Sequence, residues 1–272
     1  MTISLLLQTV IVSQARNKGG DRLRLTRHKF VAESVKLVPI GDLHIGSDKA
    51  MMVELKEYLC SLPANSYIIL MGDILENALR NSLGDVYTQK LSPEDAIDAA
   101  IKFFEPFKNK ILGAVSGNHE RRSRKQVGLN PMKIVAGALD IPYDESILVL
   151  DITVKQHENS KGANYAVAVT HGISAARTIG AKLNANSKFL DYIEDIDVYI
   201  TGHVHQPAYT KFAKYVIDRY NKKCSKRYGY LVLIPAWVDD DEYVETHLYS
   251  PTVHGFLEIE LFSKKRIRIV GE

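Results

Sequence analysis

Five short, mostly apolar runs predict buried β-strands. They span 35–40, 67–71, 111–115, 165–169 and 196–200. Each is continuous rather than alternating in hydrophobicity, which is typical of strands that are covered on both faces. A glycine or a histidine follows each run within two residues. The pattern therefore predicts strands that end abruptly at tight turns.

Segments with helical spacing lie between several of these runs, at 48–62, 131–139 and 174–192. A further helix is predicted to begin after Ser92, because serine is a good N-cap, Pro93 suits the first turn, and Glu94 favours the positive end of the helix dipole. This helix should extend to 104 or 107. The alternation of strands and helices predicts a layered α/β fold with its site at the carboxyl ends of the strands.

The pattern changes after 207, where strands are predicted at 209–217, 228–236, 255–262 and 266–270. We expect 5–12 to join this strand-rich part. The predicted fold is therefore two β-sheets packed face to face, with helices on the outside. Because no linker interrupts the chain, we expect residues 1–272 to form one domain, with a motif core at about 35–207 and a strand-rich part at 208–272.

Composition narrows the class of protein only slightly. The chain has 272 residues, 46% of them hydrophobic and 25% charged, with a formal charge of +3, which does not by itself indicate nucleic-acid binding. The apolar stretch 3–12 is too short to span a membrane, and no positive charge precedes it as in a secretory leader. Cys60 and Cys224 are expected to be free thiols of a cytoplasmic protein.

Potential metal ligands are concentrated in five short blocks, each at a predicted strand end. The blocks are GDLHIG (41–46), MGDILEN (71–77), SGNHE (116–120), THG (170–172) and TGHVHQP (201–207). Together they contain two Asp, one Asn and four His that can bind metal, plus His119. Each block alone is weak, since a lone Gly-Asp is usually a turn and a lone histidine is usually structural. Their conjunction favours a pair of divalent metals, which mainly serves phosphate-ester hydrolysis.

The residue types suit such a site. Carboxylate oxygen and imidazole nitrogen bind borderline metals such as manganese, iron or zinc. In an extended segment Asp42 and His44 would lie on one side, as would His203 and His205. Asp73 has two oxygens and could bridge two cations. Asn118 adds a neutral oxygen, which keeps the total ligand charge low.

In this order, Asp-x-His, Gly-Asp, Gly-Asn-His-Glu, His and Gly-His-x-His, the blocks resemble the calcineurin-like metallophosphoesterases over about 41–207. The resemblance implies a four-layer αββα sandwich and two divalent metal ions, with manganese favoured and iron, zinc or nickel as alternatives. One metal would be held by Asp42, His44, Asp73 and His205. The other would be held by Asp73, Asn118, His171 and His203. A hydroxide between the metals would attack phosphorus, and His119 would protonate the leaving oxygen without binding metal.

The resemblance also suggests a role for Glu76, and it marks one departure from the family. Related phosphoprotein phosphatases carry an acid at this position that orients the catalytic His, although a solvated loop carboxylate is an equal alternative. They continue with Asp-Arg-Gly, whose Arg grips phosphate, whereas this chain has Glu76-Asn77-Ala78. The missing arginine argues against protein phosphatase activity. Arg80, Arg121 or Arg122 could substitute as a phosphate ligand.

The substrate class is less defined than the reaction. Basic residues cluster at 121–125, directly after His119, and at 209–230, where they are interleaved with tyrosines. Cations bind phosphates and aromatic rings stack on unpaired bases, so the mixture suits DNA or RNA. The alternative is a solvated β-hairpin that turns near Asn221, with lysines that discourage aggregation.

Two kinds of phosphoesterase therefore remain. One is a phosphodiesterase or nuclease acting on nucleic acid or nucleotides, and the other is a phosphomonoesterase acting on phosphoprotein or a small metabolite. A scaffold of this fold that has lost catalysis is a third possibility, and the complete set of ligands argues against it. The sequence leaves the oligomeric state open, and it gives no indication of a membrane partner.

Overall fold

The computed structural model describes residues 13–15, 23–79, 89–174, 176–240 and 250–271, and it contains two β-sheets. The strands are β1 (Ser13–Ala15), β2 (Arg24–Val31), β3 (Ser34–Ile40), β4 (Ser66–Leu70), β5 (Ile111–Val115), β6 (Tyr143–Asp144), β7 (Ile147–Lys155), β8 (Ala163–Thr170), β9 (Val198–Thr201), β10 (Ala208–Asp218), β11 (Lys223–Leu233), β12 (Leu257–Phe262) and β13 (Ile267–Gly271). The seven-stranded sheet has the order β1-β2-β7-β8-β9-β11-β10, and the six-stranded sheet has the order β13-β12-β3-β4-β5-β6.

The described residues form six α-helices. They are α1 (Met52–Ser61), α2 (Pro93–Phe104), α3 (Asn118–Val127), α4 (Pro131–Ala138), α5 (Ile179–Ser187) and α6 (Phe189–Tyr192), and a 3-10 helix over Glu105–Lys110 continues α2. In the described part of the chain, no helix has the length and hydropathy needed to span a bilayer.

The main core lies between the two sheets. Alternate residues of β7, such as Leu148 and Leu150, are buried there against Leu37 and Ile69 of the other sheet. This alternation follows from the period of a strand, which sends successive side chains to opposite faces. The outer face of the six-stranded sheet packs against α1, α2 and α4, and the outer face of the seven-stranded sheet packs against α5 and α6. The predicted two-sheet sandwich with outer helices is confirmed.

Parallel pairing brings the motif loops to one edge. Strands β3, β4 and β5 are parallel neighbours in one sheet, and β8 and β9 are parallel neighbours in the other. Their carboxyl ends are the starts of the five blocks. The five predicted strands are confirmed, with bounds that differ by at most two residues.

Several other sequence predictions are corrected by the structure. The helix predicted over 174–192 is wrong as one element, because α5 begins only after Thr178, whose side chain accepts a hydrogen bond from the N–H of Ala181, and α6 is separate. The helix predicted from 48 begins at Met52. The predicted strand at 228–236 starts earlier and runs over Lys223–Leu233. The segment 5–12 lies outside the described residues. Strands β2 and β7 and helix α3 were not predicted.

Candidate metal centre

The motif loops are tied to one another by main-chain hydrogen bonds between neighbouring strand ends. The N–H of Asp42 donates to the carbonyl of Gly72 at 3.0 Å, and the N–H of Gly202 donates to the carbonyl of His171 at 2.8 Å. A bond from the N–H of Trp237 to the carbonyl of Asp42, at 3.1 Å, adds a segment that follows β11. The side chains of the five blocks therefore converge on a small region where the two sheets meet.

Five of the candidate ligands have left-handed backbone conformations, which non-glycine residues seldom adopt. Their φ angles are 52° at Asp42, 52° at His44, 48° at Asp73, 70° at His203 and 52° at His205. The expectation that the Asp-x-His and His-x-His segments are extended is therefore wrong, because a left-handed residue at each end makes the chain bend. Such conformations cost about 1–3 kcal/mol each and concentrate at functional sites.

Two of these loops approach each other so closely that only glycine fits. A Cβ on Gly72 would lie 2.3 Å from the nitrogen of Gly117, and a Cβ on Gly117 would lie 2.0 Å from Oδ1 of Asp73. The contact joins the Gly-Asp loop after β4 to the Gly-Asn-His-Glu segment after β5. It brings Asp73 against the start of α3, which carries Asn118 and His119.

The first cluster of potential ligands contains Asp42, His44 and His205, whose donor atoms lie within 4.8 Å of one another. Nε2 of His205 is 3.3 Å from Oδ1 of Asp42. Oδ1 of Asp42 and Nε2 of His44 are buried, and neither has a hydrogen-bond partner among the described residues. Buried polar atoms are normally satisfied, so this pair of orphaned atoms fits a cation-binding site.

The second cluster contains Asp73, His171 and His203, again within 4.8 Å. Nε2 of His171 lies 3.1 Å from Oδ2 of Asp73 and 3.0 Å from Oδ1 of Asn118. Nδ1 of His171 donates to the carbonyl of Met71 at 2.9 Å, which leaves Nε2 as the atom that faces the other ligands. The structure thus brings together all seven of the residues that were predicted to bind metal.

The two clusters adjoin, and the charged groups of each affect the pKa values of the other. Nε2 of His171 is 4.0 Å from Oδ1 of Asp42. Burial alone would raise the pKa of Asp42, but His205 and His171 outweigh it and lower the pKa to about 2. The pKa of Asp73 is also lowered, against burial, by His171 and His119. Burial would lower the pKa of His171, yet Asp73 and Asp42 raise it to about 10. Both carboxylates are therefore ionised at neutral pH, as metal ligands must be.

His119 lies beside this centre. Its ring is 4.3 Å from the ring of His44 between centroids, and its Nε2 is 3.9 Å from Oδ2 of Asp73. Nδ1 lies 2.7 Å from the carbonyl of Glu76, which can only accept, so Nδ1 is the donor. Burial lowers the pKa of His119 to about 4. The neutral ring therefore carries its lone pair on Nε2.

The side chain of Glu76 lies between two histidines and is largely buried. Oε2 is 2.7 Å from Nδ1 of His44 and 3.7 Å from Nδ1 of His119. The carboxylate raises the pKa of His44 against the effect of burial. Its nearest partner is therefore His44, and the close contact that was expected at His119 is made by the main-chain carbonyl of the same residue.

The two arginines at the start of α3 point in different directions. Nη2 of Arg121 donates to the carbonyl of Glu145 at 3.0 Å, away from the two clusters. The guanidinium of Arg122 lies along the ring of His119, with Nη1 3.1 Å from Nδ1 and Nη2 2.9 Å from Nε2. Of the two candidate phosphate ligands, Arg122 is the one beside the centre. Arg80 lies outside the described residues.

Sequence reasoning missed two residues that hold the loops in place. Glu120 is fully buried and accepts four main-chain hydrogen bonds, from the N–H groups of Asp73, Ile74, Leu75 and Gly117, at 2.7–3.1 Å. Its position three residues after Gly117, in the first turn of a helix, is a signal that could have identified it. Lys182 is buried beneath the His-x-His loop, where Nζ donates to the carbonyl of Val204 and to Oε1 of Gln206.

The set of donors suits two divalent cations from the first transition row. It combines two carboxylates, one amide oxygen and four imidazoles, the mixed oxygen and nitrogen ligands that such borderline metals accept. Asp73 contacts His171 of its own cluster, and Oδ1 also accepts the N–H of His119 at 2.8 Å. Together with the orphaned atoms of Asp42 and His44, the donor chemistry fits a binuclear metal centre.

The chain is similar to one protein family and to several solved structures. Residues 35–207 match the family described as calcineurin-like phosphoesterase. No curated protein matches the sequence. Two similar solved structures are vacuolar protein sorting 29 from Cryptosporidium parvum (13% identity, 88% of this chain and 97% of that chain covered, TM-score 0.40) and Vps29 from Chaetomium thermophilum (14% identity, 88% and 97%, TM-score 0.38). A third is a putative diadenosine tetraphosphatase (12% identity, 91% and 97%, TM-score 0.34).

The family match covers more than half of the chain and contains all five blocks. Membership of this family supports metal-dependent hydrolysis of phosphate esters, and the candidate metal ligands of this chain are clustered. The chain belongs to the calcineurin-like phosphoesterase family and is a metal-dependent phosphoesterase.

Proposed function

We propose that this enzyme is a phosphodiesterase that acts on nucleic acid or nucleotides and uses two divalent cations, with manganese favoured. One cation would be held by Asp42, His44, Asp73 and His205, and the other by Asp73, Asn118, His171 and His203. When bound, the cations would supply Lewis-acid stabilisation of the phosphoryl oxygens and an activated water as nucleophile.

His119 is proposed to protonate the leaving oxygen or to stabilise its developing charge. Its Nδ1 is occupied by the carbonyl of Glu76, so Nε2 is the atom available to the substrate. Nη2 of Arg122 lies 2.9 Å from that nitrogen. When substrate binds, its leaving oxygen would take the place of Arg122 at Nε2, and the guanidinium would contact the phosphate instead. The anionic substrate would favour the protonated imidazole, which offsets the low pKa caused by burial.

The observation that carries the choice of diester is the environment of Asn77, which stands where related phosphoprotein phosphatases have an arginine. Asn77 is buried, its Nδ2 donates to the carbonyl of His119 at 2.6 Å, and its Oδ1 accepts from Oγ of Ser123 at 2.9 Å. Both polar atoms of the Asn77 side chain are therefore engaged in hydrogen bonds within the protein, so they are not available to bind phosphate. A diester carries one negative charge fewer than a monoester dianion, so it needs less positive charge around it.

The proposal extends to the location of the enzyme. Cys60 and Cys224 are both exposed and free, which supports the expected reducing cytosol.

The test is an activity profile of the purified protein with manganese. We expect turnover of bis-p-nitrophenyl phosphate and of DNA or RNA oligonucleotides, and little turnover of p-nitrophenyl phosphate. Asp73→Asn should abolish activity and reduce the metal content, and protein stripped with a chelator should be inactive. Activity confined to p-nitrophenyl phosphate would contradict the proposal and support a phosphomonoesterase.

A further inference from the structure

The hairpin formed by β10 and β11 extends well beyond the sheet to which it belongs. Within β11, only Tyr230–Leu233 pair with β9. The two hairpin strands pair with each other over a longer range, from Ala208↔Leu233 to Asp218↔Lys223. About seven residue pairs therefore lie beyond the end of β9, a length of about 20 Å. The result is a projecting two-stranded ribbon, with β10 at the edge of the sheet.

One face of this ribbon carries alternating tyrosines and lysines. Residues that are paired across an antiparallel ladder share a face, and the face in question contains Tyr209, Lys211, Tyr215, Lys226, Tyr228 and Tyr230. We call it the Tyr–Lys face. Tyr215 is 74% exposed and Tyr228 is 52% exposed. Nζ of Lys211 is 4.7 Å from the ring centroid of Tyr228, and Nζ of Lys226 is 5.8 Å from that of Tyr215.

The opposite face of the ribbon is used by the fold itself. Phe212 packs near Tyr199 in the outer core, with 5.9 Å between ring centroids. Nζ of Lys214 donates to the carbonyl of Leu190, and Arg227 forms an ion pair with Asp195. In contrast, the lysines of the Tyr–Lys face form no ion pair with any described residue. The exposed lysines and tyrosines of the Tyr–Lys face contact mainly one another.

The charge and chemistry of the ribbon select one kind of partner. Residues 209–230 contain seven basic residues against the single acid Asp218, so a second copy of the ribbon would be repelled. A double-stranded nucleic acid hides its base faces within the stack. A single strand offers both phosphates for the lysines and unpaired bases for the tyrosine rings. We propose that the Tyr–Lys face binds single-stranded nucleic acid.

This inference deepens the proposed function and rests on it for the identity of the substrate. Strand β10 begins at Ala208, three residues after His205, and runs away from the metal centre over about 30 Å. A single strand lying along the ribbon would therefore lead towards the metal centre. The ribbon would hold the substrate outside the site of chemistry, so its loss should raise KM for a nucleic-acid substrate and leave kcat unchanged.

Binding can be measured without turnover, by fluorescence anisotropy of the full chain in a chelator. The probe is a labelled oligothymidine of about 20 nucleotides, compared with a duplex of the same length. The double variants Tyr215→Ala/Tyr228→Ala and Lys211→Gln/Lys226→Gln alter the Tyr–Lys face. Lys214→Gln/Lys223→Gln removes the same charge from the opposite face and is the matched control. Circular dichroism and manganese-dependent hydrolysis of bis-p-nitrophenyl phosphate show whether each variant is folded.

We expect the wild type to prefer the single strand over the duplex. Each Tyr–Lys variant should weaken binding of the single strand about 10-fold or more. This is the scale of one or two lost stacking contacts for the tyrosine pair, and the lysine pair would lose two phosphate contacts. The control should change this affinity about 3-fold or less. Equal weakening in variants and control, or equal affinity for the duplex, would overturn the inference. So would a dimer in light scattering that the Tyr–Lys variants alone dissociate. If the wild type with manganese does not hydrolyse bis-p-nitrophenyl phosphate, the proposed function is overturned instead.

Discussion

The carboxylate of Glu76 accepts a hydrogen bond from Nδ1 of His44 at 2.7 Å. This contact fixes the tautomer of His44 and leaves its buried Nε2, which has no hydrogen-bond partner among the described residues, as the atom that can bind metal. A carboxylate on the far nitrogen of a metal-binding histidine also makes the ring a stronger ligand. Glu76 is therefore expected to act on metal affinity through His44.

Substitution of Glu76 should weaken metal binding about 10- to 100-fold, the usual effect of removing such a partner. Glu76→Gln keeps an acceptor for His44 but removes the charge, so it should weaken binding less than Glu76→Ala. Isothermal titration of each metal-free variant with manganese measures its dissociation constant for the metal without any need for activity. Glu94→Gln, on the exposed side of α2, removes an equal charge elsewhere and should leave the manganese affinity unchanged. Unchanged affinity in Glu76→Ala would contradict the assignment of Glu76 to His44.

Replacement of His119 separates catalysis from metal binding. His119→Ala should retain both metals and slow hydrolysis of bis-p-nitrophenyl phosphate by about 100-fold or more, because proton transfer contributes about that much. Metal content by elemental analysis and kcat by steady-state kinetics give the two readouts. If the metal is lost together with activity, His119 is a ligand and its proposed role is wrong.

Arg122 is expected to act on the phosphate and not on the metals. Its guanidinium spans both ring nitrogens of His119, a planar arrangement that lysine cannot reproduce. Arg122→Lys should therefore lower kcat/KM about 10-fold or more, the loss of one charge-assisted contact, with no change in metal content. Arg121→Lys is the control, because Arg121 contacts Glu145. Full activity in Arg122→Lys would show that positive charge alone is needed, and an equal loss in the two variants would show that the effect is not specific to Arg122.

Much of the sandwich and the convergence of the ligands could be predicted from the sequence, for a physical reason. Continuous apolar runs mark buried strands, and the glycines that follow mark where each strand must turn, so the loops meet at one edge. Strand β2 gave no such signal, because its buried positions include Thr26 and His28. Helix α3 could not be predicted either, since its buried residues are Glu120 and Ser123 and it has no apolar stripe.

The details of the site depended on long-range contacts that no local pattern contains. The alternating left-handed conformations at Asp42 and His44 arise from hydrogen bonds to the Gly-Asp loop about thirty residues away in the chain. The partner of Glu76 is likewise set by where β3 and β4 end relative to each other. Local spacing predicted which residues gather, and the tertiary register decided which atoms meet.

Glu120 is expected to be more important for stability than for chemistry. Its two oxygens accept all four of their hydrogen bonds from main-chain N–H groups of the loops that carry Asp73 and Asn118. In Glu120→Gln, one oxygen becomes an NH₂ group that faces donors, so buried N–H groups lose their acceptor. The free energy of unfolding should fall by about 3 kcal/mol, as for a lost bond to a charged acceptor. Urea denaturation measures this free energy, with Glu57→Gln on the exposed side of α1 as control, and a change within experimental error would refute the role.

The stability of the fold should fall as the pH falls below about 6.5, because of His28. This residue is buried in β2, where Nε2 lies 3.0 Å from Oγ1 of Thr26, and burial lowers its pKa from 6.5 to about 4. The unfolded chain therefore takes up a proton at a higher pH than the folded chain does. The contribution of neutral His28 is complete above pH 6.5 and is lost as the pH falls towards 4. Between about pH 7.5 and pH 5 the loss is about 2 kcal/mol.

Other groups also titrate in this range, so the comparison must isolate His28. The variant His28→Gln keeps a polar group near Thr26 but cannot be protonated. Urea denaturation of both proteins at several pH values gives the difference in the free energy of unfolding. That difference should change by about 2 kcal/mol between about pH 7.5 and pH 5, with the wild type losing more stability than the variant. Parallel curves for the two proteins would mean that His28 is protonated as readily in the folded chain as in the unfolded one.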